Sequence, residues 1–479
     1  MLLRHTLLYL PAQIVGPLFQ LIAMIVWTHI VNDHTLGVIT LVTATHELLQ
    51  IGFLAWWSQY VLRFFGRFQN DDKAQNFYPT ENVVLLCSVA LQSVFVVIIL
   101  LLVIAPDANA ELLLAAVAYV ISRSFNLYIG ERARVQQQIG IYSIQQIVGP
   151  AIGFVIGVVL IKSFGQRPEW PLAGYAIAQF IAVFVVLPKL RYSCRFRPVD
   201  RSIIRQSLHY GLPLIIGGAL GWIGLNASRF IVNDMLGVAA AGLFAVGYGL
   251  GQRAAAVAAM LVTAAAFPIA VKRMEESGSK AAMQQLTENS ALLIAILAPS
   301  IVGIFVLRTE IVKLLIAAPF QEITLAILPL SVLAGAIRNL RAHFGDQVFL
   351  LHSRTRLMIV VASIDSILTV TVGIVCVWHW GIVGGAIATV IAASAAAAAS
   401  FTIGFFAFGL TLPLGHLIRI VPATAAMGVT LNFMPQATNY FSLATHIAVG
   451  AAIYALALTA LYFPTLLKLL HPRSRQPST

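Results

Sequence analysis

The sequence predicts an all-α integral membrane protein of about fourteen transmembrane helices, built as two parallel six-helix repeats followed by two further helices. Three observations predict it. First, 59% of the 479 residues are hydrophobic and only 10% are charged, whereas soluble domains carry about 25% charged residues. Second, apolar runs of about 20 residues recur from Leu7 to Pro464, and the mean hydropathy is +0.88 over the whole chain. Third, most of the 30 Lys and Arg residues collect in alternate loops between those runs, which is how charge sorts across a bilayer.

The runs fall near residues 7–31, 36–62, 81–104, 112–130, 142–162 and 171–188, and after a break near 208–232, 237–267, 286–307, 323–345, 357–378, 382–408, 414–435 and 442–464. Leu7 to Val31 is too long for a signal-peptide core and lacks a small-residue cleavage site, so it reads as a retained helix. The break holds Lys189, Arg191, Arg195, Arg197, Arg201 and Arg205, the densest positive cluster in the chain. It is expected to be cytoplasmic, as are both termini, since Asn32–Thr35, Pro106–Ala110 and Gln436–Asn439 contain no Lys or Arg. The organisation expected is an N-terminal lobe at 1–188, a basic linker at 189–206, a C-terminal lobe at 207–408, and two helices with a tail at 409–479. The Ala-rich run Ala392–Ala399 reads as a close-packing surface.

A repeat underlies this division. Arg4, Leu7, Tyr9, Ile14, Gly16 and Ile22 recur 201 positions later as Arg205, Leu208, Tyr210, Ile215, Gly217 and Ile223. The tetrapeptide Ile30-Val31-Asn32-Asp33 returns as Ile231-Val232-Asn233-Asp234, and Leu-Gly-Val follows in both copies after a one-residue slip. Thr80-Glu81-Asn82 likewise returns as Thr287-Glu288-Asn289. Six helices separate the members of each pair, so the copies enter the membrane in the same direction and a substrate belongs between them.

The net charge of +12 would point to nucleic acid in a soluble protein. Parcelled into short loops, it is a topology signal, and no nucleic-acid partner is expected. Cys87, Cys194 and Cys376 lie too far apart for a disulfide framework or a metal site. No metal, cofactor or catalytic residue is expected, and the chain reads as a non-enzyme.

Six plus six plus two helices resemble the multidrug/oligosaccharidyl-lipid/polysaccharide exporter superfamily, and within it the polysaccharide and O-antigen flippases. The resemblance rests on Arg229-Phe-Ile-Val-Asn-Asp-Met-Leu-Gly237 followed by Gly242-Leu-Phe-Ala-Val-Gly-Tyr-Gly-Leu250, on Phe267-Pro268, and on Gly384-Gly-Ala-Ile-Ala388. Ser228 stands where the family usually has an acidic residue. The resemblance implies a transporter of the bacterial inner membrane that moves a polyprenyl-diphosphate-linked oligosaccharide for polysaccharide or lipopolysaccharide synthesis. Its surroundings would be anionic lipids, with other glycan-assembly membrane proteins as further partners, and a monomer is expected.

Ionisable groups deep in a bilayer are costly, so each is a functional candidate unless it pairs or snorkels. Helical phase groups them into stripes: Thr40, Thr43, Glu47 and Gln50 on helix 2; Tyr119, Arg123, Asn126, Gly130 and Arg134 on helix 4; Trp222, Asn226, Arg229 and Asn233 on helix 7. Arg253 lies midway along helix 8, Arg338 and Arg341 on helix 10, Asp365 on helix 11 and Gln20 on helix 1. Guanidinium groups match phosphate oxygens bidentately and stay charged in low dielectric. The expected substrate contacts are therefore Arg123, Arg229, Arg253, Asn126, Asn226 and Gln20, with Glu47 and Asp365 as ion-coupling sites. For any one arginine the alternative is structural, such as pairing with Glu47 or Asp365. His46 falls off the helix 2 stripe and reads as a packing residue. Pro11, Pro17 and Pro213, with Gly217, Gly218 and Gly221, would let helices 1 and 7 bend as a gate.

Two rival functions come from other classes. A drug or cation antiporter of the same superfamily would favour carboxylates over arginine in its pocket, and helix 1 offers Gln13 and Gln20 but no acid. A membrane-embedded polymerase or ligase would need a large outer loop, and a prenyltransferase paired acidic motifs. The acidic pair Asp71-Asp72 has no second cluster and reads as a solvated loop.

Overall fold

A computed structural model of the chain describes residues 16, 18–68, 74–190, 192–193 and 195–470. Among these the chain forms fourteen long helical segments joined by short connections. They are α1 (Leu18–Ile30), α2 (Asp33–Phe68), α3 (Asn76–Ile104), α4 (Ala110–Val135), α5 (Ile139–Phe164), α6 (Glu169–Lys189) and α7 (Arg201–Leu236). After these come α8 (238–277), α9 (279–306), α10 (Ala318–Leu351), α11 (355–379), α12 (382–408), α13 (Leu414–Phe433) and α14 (Tyr440–Leu470). Gly278, with φ of 80°, separates α8 from α9, and Trp380 with Gly381 separates α11 from α12. Both breaks use a glycine where the backbone turns to positive φ, a conformation that costs other residues more.

The helices start where the sequence supplies a cap. Asn32, Asn109 and Asp200 each accept a backbone N–H of the first turn at 2.8 Å, satisfying donors that have no partner within the helix. Several helices outrun the apolar spans. α2 continues to Phe68, and α4 continues past residue 130 to take in Arg132. α7 begins at Arg201, so Arg201 and Arg205 are helical, and the irregular part of the basic break is confined to about 190–200. α7 also runs unbroken through Pro213. Gln13, Pro11, Pro17 and the Asp71-Asp72 pair lie outside the described residues, as do the first-copy positions Arg4 to Ile14 of the repeat.

The fold contains the two six-helix repeats and the two added helices that the sequence predicts. In the first repeat α4 and α6 pack on one another and α5 on both; in the second, α10 packs along α8 and α9, and α7 along α11 and α12. The repeats meet where α2 lies against α7 and α8. α13 and α14 pair and lean on α9, where Tyr454 donates to the Ala295 carbonyl at 2.6 Å.

The repeated Thr-Glu-Asn motif has a structural explanation. Thr80 accepts the Asp200 N–H at 2.8 Å, and Asn82 donates to the carbonyls of Ser193 and Arg195 at 2.7 and 2.6 Å. In the second copy Thr287 donates to the Thr411 carbonyl at 3.0 Å. Each copy thus clips the segment leaving its own six-helix unit. These segments share one end of the bundle with residues 352–354, where Ser279 reaches His352 at 3.1 Å. That end carries most of the loop Lys and Arg and is called the basic end below. At the opposite end α2 and α8 touch at backbone distance. A Cβ on Gly37 would lie 2.0 Å from the Val238 carbonyl oxygen, and one on Gly242 would lie 2.0 Å from that of Asp33.

Candidate functional site: a cationic chamber between the repeats

The seam between the repeats holds two adjoining cavities midway through the bundle. The first, about 170 Å³, is walled by Gln20, Trp27, Thr40, Thr43, Glu47, Tyr119, Arg123, Tyr175, Gln179 and Arg253 among others. The second, about 460 Å³, is walled by Gln50, Ile51, Gly218, Gly221, Trp222 and Asn226, and shares Glu47, Tyr119 and Arg123 with the first. Six of the eight residues singled out by sequence therefore bear on one place. Gln20, Glu47, Arg123, Arg253 and Asn226 line the walls, and Arg229 stands just behind them.

Helical phase explains the placement. On α2, Thr40, Thr43, Glu47 and Gln50 all face the seam. A π-helical turn at Ile51–Ala55 follows directly and redirects the rest of α2. On α7, Trp222 donates to the Ala44 carbonyl at 3.0 Å, and Arg229 to the Thr40 carbonyl at 3.4 Å, locking α7 to α2. The stripe on α4 divides. Tyr119 and Arg123 face the chamber, but Asn126 is buried against α5 and donates to Gln145. Asn126 is thus held away from the walls, because a small angular advance carries it to the α5 side. Asp365 is also elsewhere, within the second repeat.

The arginines within the membrane span sort into two groups by their partners. Arg132 is fully buried and paired with Glu81 at 2.7 Å, and it lies 3.8 Å from the centre of the Phe65 ring, while Tyr128 donates to the same carboxylate. Arg338 and Arg341 both hold Asp365 at 2.9 Å. Arg338 also donates to Tyr248 and to the Gly224 carbonyl, and Arg341 lies 3.4 Å from Asp346. These five side chains tie α7, α8, α10 and α11 together. Arg123 and Arg253, in contrast, make no ion pair or hydrogen bond among the described residues. Nη1 of Arg253 and Nε of Arg229 are buried without a partner. Glu47, within electrostatic reach of Arg123, Arg229 and Arg253, makes no ion pair among the described residues and is exposed, although it lies halfway along a central helix. Its exposure is to the chamber.

The chamber wall is braced from behind. His46 is buried and hydrogen-bonded to Ser124 at 3.1 Å, which donates to Gln92 at 2.8 Å; Ser122 donates to Gln179 at 3.0 Å. Tyr175, Gln179 and the Glu81–Arg132 pair were not singled out by sequence reasoning, whereas Asp365 was, and its hold by Arg338 and Arg341 is the structural alternative named for the arginines. A glutamine inside the apolar α6 span was the available signal for Gln179. Among the described residues no group of three His, Cys, Asp or Glu side chains could hold a metal ion.

Such a helical bundle with a polar chamber on the seam of two repeats has the architecture of a multi-pass membrane transporter. The chain belongs to the polysaccharide biosynthesis protein family, whose model matches residues 2–274. No curated protein sequence matches it. Its fold is that of the multidrug/oligosaccharidyl-lipid/polysaccharide exporter superfamily. Lipid II flippase MurJ in an inward closed conformation superposes with a TM-score of 0.77 at 15% identity, over 96% of this chain and 100% of that one. A multidrug resistance MATE family transporter in an inward-facing conformation gives 0.58 at 14% identity over 85% and 95%. A superfamily transporter from Pyrococcus furiosus gives 0.55 at 15% identity over 88% and 96%.

Proposed function

We propose that the chain is a flippase that carries a polyprenyl-diphosphate-linked oligosaccharide across the bacterial inner membrane for polysaccharide or lipopolysaccharide synthesis, O-antigen being the cargo the resemblance names. The observation that carries the proposal is the uncommitted charge of the chamber: three guanidinium groups against one carboxylate, with two buried guanidinium nitrogens lacking acceptors. Buried donors left unpaired are costly, and an anionic headgroup supplies what they lack. A diphosphate offers oxygens to more than one guanidinium at once.

In this reading two lobes, 1–188 and 207–408, rock about the chamber in alternating access. The basic end is cytoplasmic by the distribution of Lys and Arg, which places both termini there. The headgroup enters from the cytoplasm, meets Arg123, Arg229 and Arg253 with Gln20 and Asn226, and leaves on the other side while its lipid tail stays in the bilayer. Asn126 supports α4 from behind. Of the two carboxylates considered for ion coupling, Glu47 keeps an uncommitted group in the chamber, whereas Asp365 is held by two arginines. Coupling is therefore assigned to Glu47.

Replacing Arg123 or Arg253 with Ala, at matched protein levels, is expected to lower translocation of the lipid-linked oligosaccharide by about tenfold or more. Unchanged transport would remove these residues from the mechanism. Resistance to cationic drugs conferred by expression of the chain would favour an antiporter instead.

A further inference from the structure

A further cavity opens at the basic end of the same seam, between the last turns of α2 and the first turns of α7. Its volume is about 660 Å³, within the range of built ligand sites. Tyr60, Phe64 and Tyr210 give it aromatic walls, and Arg67, Gln206 and His209 give it polar ones. It belongs to neither chamber described above.

Its depth follows from helix length. α2 and α7 each contain 36 residues, about 54 Å of helix against a hydrocarbon core of about 30 Å. Both stop at tight corners at the opposite end, α2 at Asn32 and α7 at Gly237. The excess length therefore projects from the basic end, and the cavity lies in the headgroup and water layer. An occupant there must be hydrophilic.

The lining selects among hydrophilic occupants. Phe64 and Tyr210 meet edge to face at 5.3 Å, and Tyr60 lies 5.0 Å from Phe64. The Arg63 guanidinium sits over the rings of Phe64 and Tyr210 at 5.6 and 5.5 Å, and Arg67 over Phe64 at 4.8 Å. These cations rest on ring faces. Aromatic surface beside an amide and an imidazole suits a polyhydroxylated ring, whose C–H face packs on aromatic carbon and whose hydroxyls both donate and accept.

We propose that this cavity is a glycan-binding vestibule that holds the sugar portion of the cargo while the diphosphate occupies the inner chamber. The proposal rests on the flippase reading for the identity of that cargo. Helical rise puts Tyr60 roughly 20 Å beyond Glu47 along α2, so the part of the cargo that reaches the vestibule is its glycan.

The test uses the full chain in lipid nanodiscs and three probes: undecaprenyl diphosphate, the same lipid bearing the host strain's oligosaccharide, and that oligosaccharide released from its lipid. Tyr210→Ala and Gln206→Ala are each expected to weaken the glycan-bearing lipid and the free oligosaccharide about tenfold, with undecaprenyl diphosphate held within about twofold. Tyr210→Phe, which keeps the ring, retains binding. Equal loss for all probes, or no loss for any, overturns the vestibule, as does displacement of the oligosaccharide by phosphatidylglycerol. Arg123→Ala should weaken both lipid probes and leave the free oligosaccharide unaffected. If undecaprenyl diphosphate ignores Arg123→Ala while the oligosaccharide still requires Tyr210, the chamber reading fails and the vestibule stands.

Discussion

Among single residues, the contrast between committed and uncommitted arginines yields the sharpest expectations. Arg132 and Glu81 are both fully shielded from solvent, so removing one partner strands the other's charge in low dielectric. Glu81→Ala is expected to cost about 3–5 kcal/mol, read as a large drop in the thermal unfolding temperature of the purified protein. Glu81→Leu combined with Arg132→Leu should recover most of that loss, because paired apolar replacements of a buried ion pair are often neutral. A single and a double variant of equal stability would contradict the account. Arg253 has no such partner to strand, so Arg253→Ala should leave the unfolding temperature close to that of the parent while lowering transport by about tenfold or more.

Helix on helix, the tightest constraint is the crossing of α2 and α8 at Gly37 and Gly242, where added Cβ atoms would each fall 2.0 Å from a carbonyl oxygen. Gly242→Ala forces the two helices apart, at about 1–3 kcal/mol of overpacking. It is expected to cut translocation severely, whereas Gly140→Ala, with open space around it, should not; equal activity of the two would show that the crossing is not needed for function. The same helices show how much the sequence made legible. Spans, repeats and the seam stripe on α2 followed from apolar length, polar identities and helical phase. Asn126 and Arg132 were harder to place, because a stripe spaced by four and three drifts around the helix and the apolar span of α4 closes at Gly130, just before Glu131 and Arg132. Which apolar residues pack inward was also hidden. In lipid both faces of a helix are apolar, so the fully buried Val361 and the 60% exposed Ile367 on α11 look alike by hydropathy. Close approach is written in small residues instead, as at Gly37 and Gly242. Partnerships such as Arg338 with the Tyr248 hydroxyl and the Gly224 carbonyl join helices distant in sequence, and no local pattern encodes them.

Across the whole molecule, the proposed alternating access requires the α2–α7 seam to open and close. A disulfide between Ile51→Cys and Gly218→Cys, which face each other across it, in a background lacking the native cysteines, is expected to stop translocation and to release it on reduction. Full transport after complete bridging would rule out opening along this line. The clips made by Thr80 and Asn82 add a consequence for such movement. They fasten Ser193, Arg195 and Asp200 to the first unit, the last of these one residue before α7 begins. A swing of the second unit that keeps these clips would turn at the Asp200–Arg201 junction, like a door at its hinge post, and α7 would then act as a lever that turns a small angle at the basic end into displacement along its full length.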